Sequence, residues 1–180
     1  MAAATPSLPI HTIGHSTRAV PEFVDLLRLG NIDMVVDIRS IPRSRTNPQF
    51  NFDVLPDFLS NWQIGYLQIT ELGGRRNKSK TVPPEVNEFW TNQSFHNYAD
   101  YALSDEFHLG LEKLFDLSAH RRCAIMCSEA VWWRCHRRIV ADYLLNEGQQ
   151  VFHLMGPTSS VPATMTKGAV PRGAKLTYPK

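Results

Sequence analysis

The sequence has no apolar run near the roughly 18 residues that a membrane-spanning helix needs. Its start, MAAATPSLPIHTIGHS, has neither the basic flank nor the long apolar core of a secretory leader. These two absences predict a soluble, cytoplasmic protein with no membrane partner. Cysteine is scarce: Cys123, Cys127 and Cys135 are the 3 in 180 residues, an odd number that argues against a disulfide framework. Strong charge of either sign is also missing, since a formal net charge of +2 is too small to mark a dedicated nucleic-acid binder. There is no internal repeat.

What is present fits one folded unit. A chain of 180 residues that is 43% hydrophobic and 20% charged has the composition of an ordinary single domain with one sizeable core. Its charge is uneven. Arg75, Arg76, Lys78 and Lys80 are clustered, and the stretch from Gly156 onward carries Lys167, Arg172, Lys175 and Lys180 with no acidic residue. The rest of the chain is net acidic, so the positive potential sits on these two segments, either for solubility or to meet an anion.

Apolar runs of strand length alternate with segments of helical period, the order expected of βα units around a mainly parallel sheet. The predicted strands are Leu8 to Ile13, Met34 to Ile38, Ile64 to Ile69, Cys123 to Cys127 and Val151 to Met155. Helical spacing marks Pro21 to Leu29, Leu55 to Trp62, a segment from His96, a helix capped near Ser104 or Asp105, and one through Ile139 to Leu144 that closes at Gly148. The fold class is therefore α/β, a single-domain open, mainly parallel five-stranded sheet with helices on both faces (Rossmann-like) and expected order 3-2-1-4-5. Residues 1-155 form the domain, with residues 156-180 as an irregular basic C-terminal tail. Leu72 to Phe95 reads as a long loop.

Ligands of open α/β sheets bind beyond the carboxyl ends of the strands. Those ends are polar here: Gly14, His15, Ser16 and Thr17 follow the first strand, Asp37, Arg39 and Ser40 the second, Thr70, Glu71, Gly73 and Gly74 the third, and Cys127, Ser128 and Glu129 the fourth. The run CSEAVWWRCHRR, residues 127 to 138, is the densest. It puts a thiol and a carboxylate at a strand end, then a cysteine, a histidine and arginines where a helix begins. Cations and a helix N-terminus stabilise a thiolate. Cys127 is thus either a nucleophile or a buried small hydrophobe, with Arg134 or Arg137 as candidate anion binders. Six residues separate Cys127 from Arg134, one more than in the loop of thiol phosphatases and rhodaneses, so their mechanism does not transfer directly. Glu129, ending an apolar strand, must be solvated, paired or catalytic.

Other residues carry two readings each. Asp37 and Arg39 share a strand face, either as a loop-fixing salt bridge or as a base and an anion holder; Arg43 and Arg45 follow them. His15 and Ser16 either bind phosphate and relay a proton or are structural. Cys127, Cys135 and His136 invite a metal, but Cys-x7-Cys-His matches no usual zinc spacing, so no metal site and no cofactor are assigned. Trp132 and Trp133 either stack on a base or cover the core edge.

Six ordered motifs, TIGHSTR (12 to 18), DIRSIPRSR (37 to 45), Gly65-Tyr66 leading to LGGRR (72 to 76), FHNYADY (95 to 101), CSEAVWWRCHRRIVADYL (127 to 144) and LTYP (176 to 179), together resemble the domain of unknown function 488 family over nearly the whole chain. The resemblance implies a compact α/β domain of prokaryote-type cytoplasmic proteins, and supplies no reaction. Its signature falls on His15, Ser16, Asp37, Arg39, Gly73, Gly74, Tyr98, Cys127, Glu129, Cys135, His136 and Arg137. Val131, Trp132 and Trp133 are bulky where the family pattern has small and polar residues.

The functional expectation is a hydrolase or transferase acting on a phosphorylated or nucleotide-like substrate or on nucleic acid. Cys127, Glu129, Asp37 and His15 form its catalytic set, and Ser16, Arg39, Gly73, Gly74, Tyr98, Ser128 and Arg137 bind substrate. The alternatives are a non-catalytic nucleotide or nucleic-acid binding module, using Arg43, Arg45, Arg75, Arg76 and the basic tail, and a thiol redox or metal site.

Overall fold

The alternation of apolar runs becomes a regular βα succession in a computed structural model that describes residues 7–180; residues 1–6, and with them the beginning of the stretch MAAATPSLPIHTIGHS, lie outside the described residues. Five strands, β1 (Ile10–Gly14), β2 (Met34–Asp37), β3 (Gly65–Gln68), β4 (Cys123–Cys127) and β5 (Val151–Gly156), run parallel. Five helices connect them: α1 (Val20–Leu29), α2 (Leu55–Ser60), α3 (Gln93–Tyr101), α4 (Asp105–Ser118) and α5 (Arg137–Asn146). This is the open, mainly parallel α/β architecture expected. Among the described residues, no helix is long and apolar enough to cross a membrane.

Local chemistry accounts for the helix starts. Pro21 sits in the first turn of α1, where its missing N–H costs nothing. The Ser104 hydroxyl accepts the Phe107 amide at the start of α4, the cap read from the sequence. Helix α3 begins at Gln93, before the expected His96, because the Asn92 side chain accepts the amides of Ser94 and Phe95.

Strand residues alternate between two apolar layers. Ile13, Val35, Ala124, Met126 and Leu154 face α1 and α2. Ile10, Val36, Cys123, Ile125 and Val151 face α3, α4 and α5. The helices therefore cover both faces of the sheet, and Cys127 continues the second layer toward the start of α5.

The strand order differs from expectation. It is β3-β2-β4-β1-β5-β6, with β4 inserted between β2 and β1. Val35 and His11 both pair with Ala124, from opposite sides. The exchange of β1 and β4 relative to the expected 3-2-1-4-5 gives β4 the neighbours β2 and β1 in place of β1 and β5, so that the end of β2 flanks Cys127 on one side and the end of β1 on the other. A sixth strand, β6 (Ser159–Pro162), adds antiparallel to β5.

The segment from Gly156, expected as an irregular tail, is therefore corrected. After β6 it forms a hairpin of β7 (Val170–Arg172) and β8 (Lys175–Thr177). Leu176 and Tyr178 are fully buried. Tyr178 donates its hydroxyl to Asp142 at 2.9 Å, and Asp142 also accepts the Thr166 amide at 2.9 Å. A carboxylate on the inner side of α5 thus ties the C-terminal segment to the core.

Leu176→Ala tests that attachment. Truncating a fully buried leucine costs about 2–5 kcal/mol, read as a lower urea midpoint at unchanged slope. A loss below about 0.5 kcal/mol would make the segment an appendage.

Candidate active site

The site grows from the ends of three adjacent strands. Past β4 the backbone stays clasped on both sides: the His15 amide donates to Cys127 O at 2.9 Å, Ser16 to Ser128 O at 2.9 Å, and Ile38 to Met126 O at 3.0 Å. Gly14 permits this approach, since a Cβ there would lie 1.6 Å from the Glu129 carbonyl oxygen. Ser16 adopts a φ of 49°, a left-handed conformation that a non-glycine residue holds only under constraint. A cavity of about 930 Å³ opens over these ends. His15, Ser16, Arg39, Gly74, Cys127, Ser128, Glu129, Cys135 and His136 all line it, which brings together nine of the residues singled out in the sequence.

At its floor lie two thiols and an imidazole. His136 Nδ1 is 3.8 Å from Cys127 Sγ and 3.6 Å from Cys135 Sγ. The other ring nitrogen, Nε2, is 2.9 Å from the Ile38 carbonyl oxygen. A carbonyl only accepts, so Nε2 carries a proton, and Nδ1 is the ring atom turned toward the two sulfurs. Tyr98 packs edge-on against this ring at 4.9 Å. Gly74 closes over it so tightly that a Cβ would lie 2.4 Å from Nδ1.

The two thiols are driven apart in acidity. A hydrogen bond from Cys135 holds Cys127 well below the ordinary thiol value, aided by His136 and Arg137 against the opposing effect of burial. Cys135 is pushed up by burial and by its bond to Cys127. The pair thus behaves as a Cys127 thiolate held by a Cys135 thiol. The three donor atoms lie within 4.8 Å of one another, so the fold brings into metal-ligand range residues whose sequence spacing fits no zinc motif.

Beside the thiolate stands a neutralised arginine. Arg39 Nε donates to Asp37 Oδ1 at 2.9 Å and Nη2 to Asp37 Oδ2 at 2.7 Å. Nη2 also donates to the Phe50 carbonyl at 2.7 Å. Its Nη1 reaches His15 Nε2 at 3.2 Å, while His15 Nδ1 donates to Ser16 O at 2.8 Å. Burial, first, lowers the His15 pKa, which suits a neutral ring accepting from Arg39.

Four expected site residues do not line the cavity. Asp37 is fully buried and bonded on both oxygens by Arg39, with the Tyr66 hydroxyl also on Oδ2. It is paired as the counter-ion of Arg39. Tyr98 is fully buried with its hydroxyl on the Leu72 carbonyl and meets the cavity only through the ring of His136. Gly73 packs against Ser40. Arg137, 1% exposed, lies beneath the loop and donates Nη2 to the carbonyls of Glu129 and Ala130 at 2.8 and 3.3 Å. It holds the loop in place of the expected anion.

The cations facing the cavity are instead Arg43, Arg75, Arg76 and Arg134, together with Arg39. Arg43 is paired with Asp53. Arg76 lies over the Tyr101 ring and donates to the carbonyls of Gly73 and Thr70. Among the described residues, the side chains of Arg75 and Arg134 have no ion-pair partner, and neither does the exposed Glu129, the one carboxylate in the lining. None of the four cations of the C-terminal segment lines the cavity. Trp132 stacks on His153 at 4.6 Å, and neither it nor Trp133 lines the cavity.

Sequence reasoning missed Phe50, and it placed Ser40 at the end of the second strand without giving it a role. Phe50 stacks on His15 at 4.5 Å, and the Ser40 hydroxyl anchors the Arg75 amide at 2.8 Å. An aromatic at the end of the polar run RSRTNPQF was the available signal for the first.

The family model described as "Domain of unknown function DUF488" matches residues 19–144. That range includes β4, the Cys127 to Arg137 run and the Asp37–Arg39 pair, and it excludes TIGHS at the end of β1 and the closing LTYP. No curated protein and no solved structure matches the chain. The matched range takes in more than half of the sequence, and the chain belongs to the DUF488 family.

Proposed function

We propose that this pocket is the active site of a hydrolase or transferase that acts on a phosphorylated or nucleotide-like anion, with Cys127 as the nucleophile. The observation that carries the reading is the placement of the Cys127 thiol, 3.8 Å from His136 Nδ1, on the floor of an arginine-lined cavity that also holds one unpaired carboxylate; the lowered pKa of that thiol agrees with it. Arg75 and Arg134 bind the anion, with charge not committed elsewhere. The remaining N–H of Arg39 Nη1 orients it. The thiolate attacks the electrophilic centre and the leaving group departs with its bonding electrons, taking a proton from solvent where it needs one. The Glu129 carboxylate then accepts a proton from the water or other acceptor that attacks the sulfur-bound group, and the bond to sulfur breaks to return the Cys127 thiolate. Water as acceptor makes the reaction a hydrolysis; another nucleophile makes it a transfer. Three free, buried thiols suit a reducing compartment, which supports the cytoplasm as the site of action.

Alkylation tests the thiolate. Iodoacetamide at neutral pH labels Cys127 first, with a rate midpoint below 9.0, the ordinary thiol value. Because the reactive form is deprotonated, lowering the pKa moves the rising limb to lower pH. Cys123, pushed up to about 12 chiefly by burial, stays unlabelled. Equal labelling of Cys123 and Cys127 would remove the nucleophile.

Anion binding is measured on metal-free protein. Inorganic pyrophosphate slows Cys127 alkylation, while chloride at matched ionic strength does not. Arg134→Glu raises the concentration giving half protection by about tenfold, equivalent to ~1.4 kcal/mol and the size of one charge-assisted hydrogen bond. Protection that is unaffected by Arg134→Glu and Arg75→Glu together would move the anion elsewhere. Turnover of a chromogenic aryl phosphate that survives Cys127→Ser would take the chemistry from Cys127, and absence of turnover beside intact pyrophosphate protection would leave the arginines as a binding module.

A further inference from the structure

The floor of the pocket has one property that nucleophilic chemistry does not use: three soft donor atoms converge on one point. Zinc–sulfur and zinc–nitrogen bonds of roughly 2.3 and 2.0–2.1 Å at tetrahedral angles set sulfur and nitrogen ligands about 3.6 Å apart. His136 Nδ1 lies 3.6 Å from Cys135 Sγ and 3.8 Å from Cys127 Sγ. All three atoms fall within 4.8 Å of one another.

Their surroundings match those of a ligand set. The Nε2–H of His136 donates to the Ile38 carbonyl at 2.9 Å, the outer hydrogen bond that commonly fixes the tautomer and direction of a ligating imidazole. Cys135 Sγ accepts the Arg137 amide at 3.5 Å at the first turn of α5, which favours a thiolate there. Gly74 and Tyr98 press on the imidazole from the outside, so the ring cannot swing away without moving the loop or α3. All three side chains face the cavity, leaving a fourth direction open.

We infer that Cys127, Cys135 and His136 form a three-ligand site for zinc or a metal of its class, with the fourth coordination position open to the arginine-lined pocket. Two thiolates cancel the charge of a divalent ion. The positive charge of Arg137 then remains beneath the site, complementary to an anion above it. Thiolate and imidazole donors select zinc over magnesium or calcium. Binding releases the thiol protons, so affinity rises with pH. The inference does not rest on the enzyme reading. A bound ion withdraws Cys127 from nucleophilic attack, and the two states compete for the same sulfur.

Cobalt(II) is the probe, added to full-length, reduced, chelator-treated protein. One equivalent is expected to give the visible bands of a tetrahedral site and a thiolate-to-cobalt charge-transfer band, both displaced by zinc. Cys127→Ser, Cys135→Ser and His136→Asn each weaken binding by at least about tenfold, while Cys123→Ser, at the far end of β4, leaves it unchanged. Wild-type labelling gives a readout that needs no variant to fold: zinc protects both Cys127 and Cys135 from iodoacetamide, mapped by peptide mass. Purely octahedral cobalt bands, a charge-transfer band of unchanged intensity and unchanged affinity without Cys135, or no protection by zinc would each overturn the site. Pyrophosphate protection is measured on metal-free protein. Its loss beside an intact cobalt spectrum defeats the enzyme reading alone, and the converse defeats this inference alone.

Discussion

A buried cation without a carboxylate governs the architecture around the pocket. Arg137 is 1% exposed, and among the described residues it forms no salt bridge. Its Nε and Nη1 have no hydrogen-bond partner, and Nη2 serves only two carbonyl oxygens. Burying an uncompensated charge costs several kcal/mol even after relaxation, roughly, so the negative charge must come from nearby. The thiols supply it. The Cys127–Cys135 pair, which carries one negative charge, acts to keep Arg137 protonated against burial, ahead of Glu129, and Arg137 in turn helps to hold Cys127 ionised. The thiolate and the guanidinium are two halves of one charge balance, and the same guanidinium fixes the Glu129–Ala130 backbone over which the ligand must pass.

That balance works only because of where β4 runs. As an inner strand it has β2 and β1 on its two sides, so the residues after three strands arrive together: Ile38 to accept His136, His15 and Ser16 to clasp the Cys127–Ser128 backbone, and Arg39 to face the cavity. In the order 3-2-1-4-5, β1 would stand between β2 and β4. The Ile38 carbonyl could not then reach the imidazole that begins α5, and the tautomer of His136 would be unfixed. The strand permutation is thus a chemical feature as much as a topological one.

The elements were legible because alternating or continuous apolar runs and capping residues report local preference, and Val35-Val36, Ser104 and Gly148 did so plainly. Strand order is not local. The connection from β3 to β4 is long enough to return on either side of β1, and both places bury the same CAIMC run. The C-terminal strands were missed because Pro162 and Pro171 read as breakers, although edge strands tolerate proline. Gly173, at a φ of 65°, opens a two-residue hairpin loop between Arg172 and Lys175, a signal that was present. In the site, cysteine, histidine and the carboxylate of Glu129 were recoverable as types at strand ends. The difference between an arginine that faces the cavity and one that lies under the loop was not, since nothing in the run WWRCHRR shows that Arg134 ends a separate 3-10 turn while Arg137, beyond the extended Cys135, begins α5.

On the proposed reading, the arginines divide the work of anion recognition by how their charge is used. Arg39 is fixed by Asp37, Phe50 and His15, so its charge is largely cancelled and it offers the pocket one rigid, directional N–H. Arg43 is held by an exposed pair with Asp53; such pairs are worth about 0–1 kcal/mol, so an incoming anion can displace Asp53 at little cost. Arg75 and Arg134 need displace nothing. Long-range attraction therefore belongs to the rim, where salt screens it, and orientation belongs to the buried floor, where salt does not reach. An anion held this way is drawn in by charges that can move and is aligned, against the Cys127 sulfur, by one that cannot.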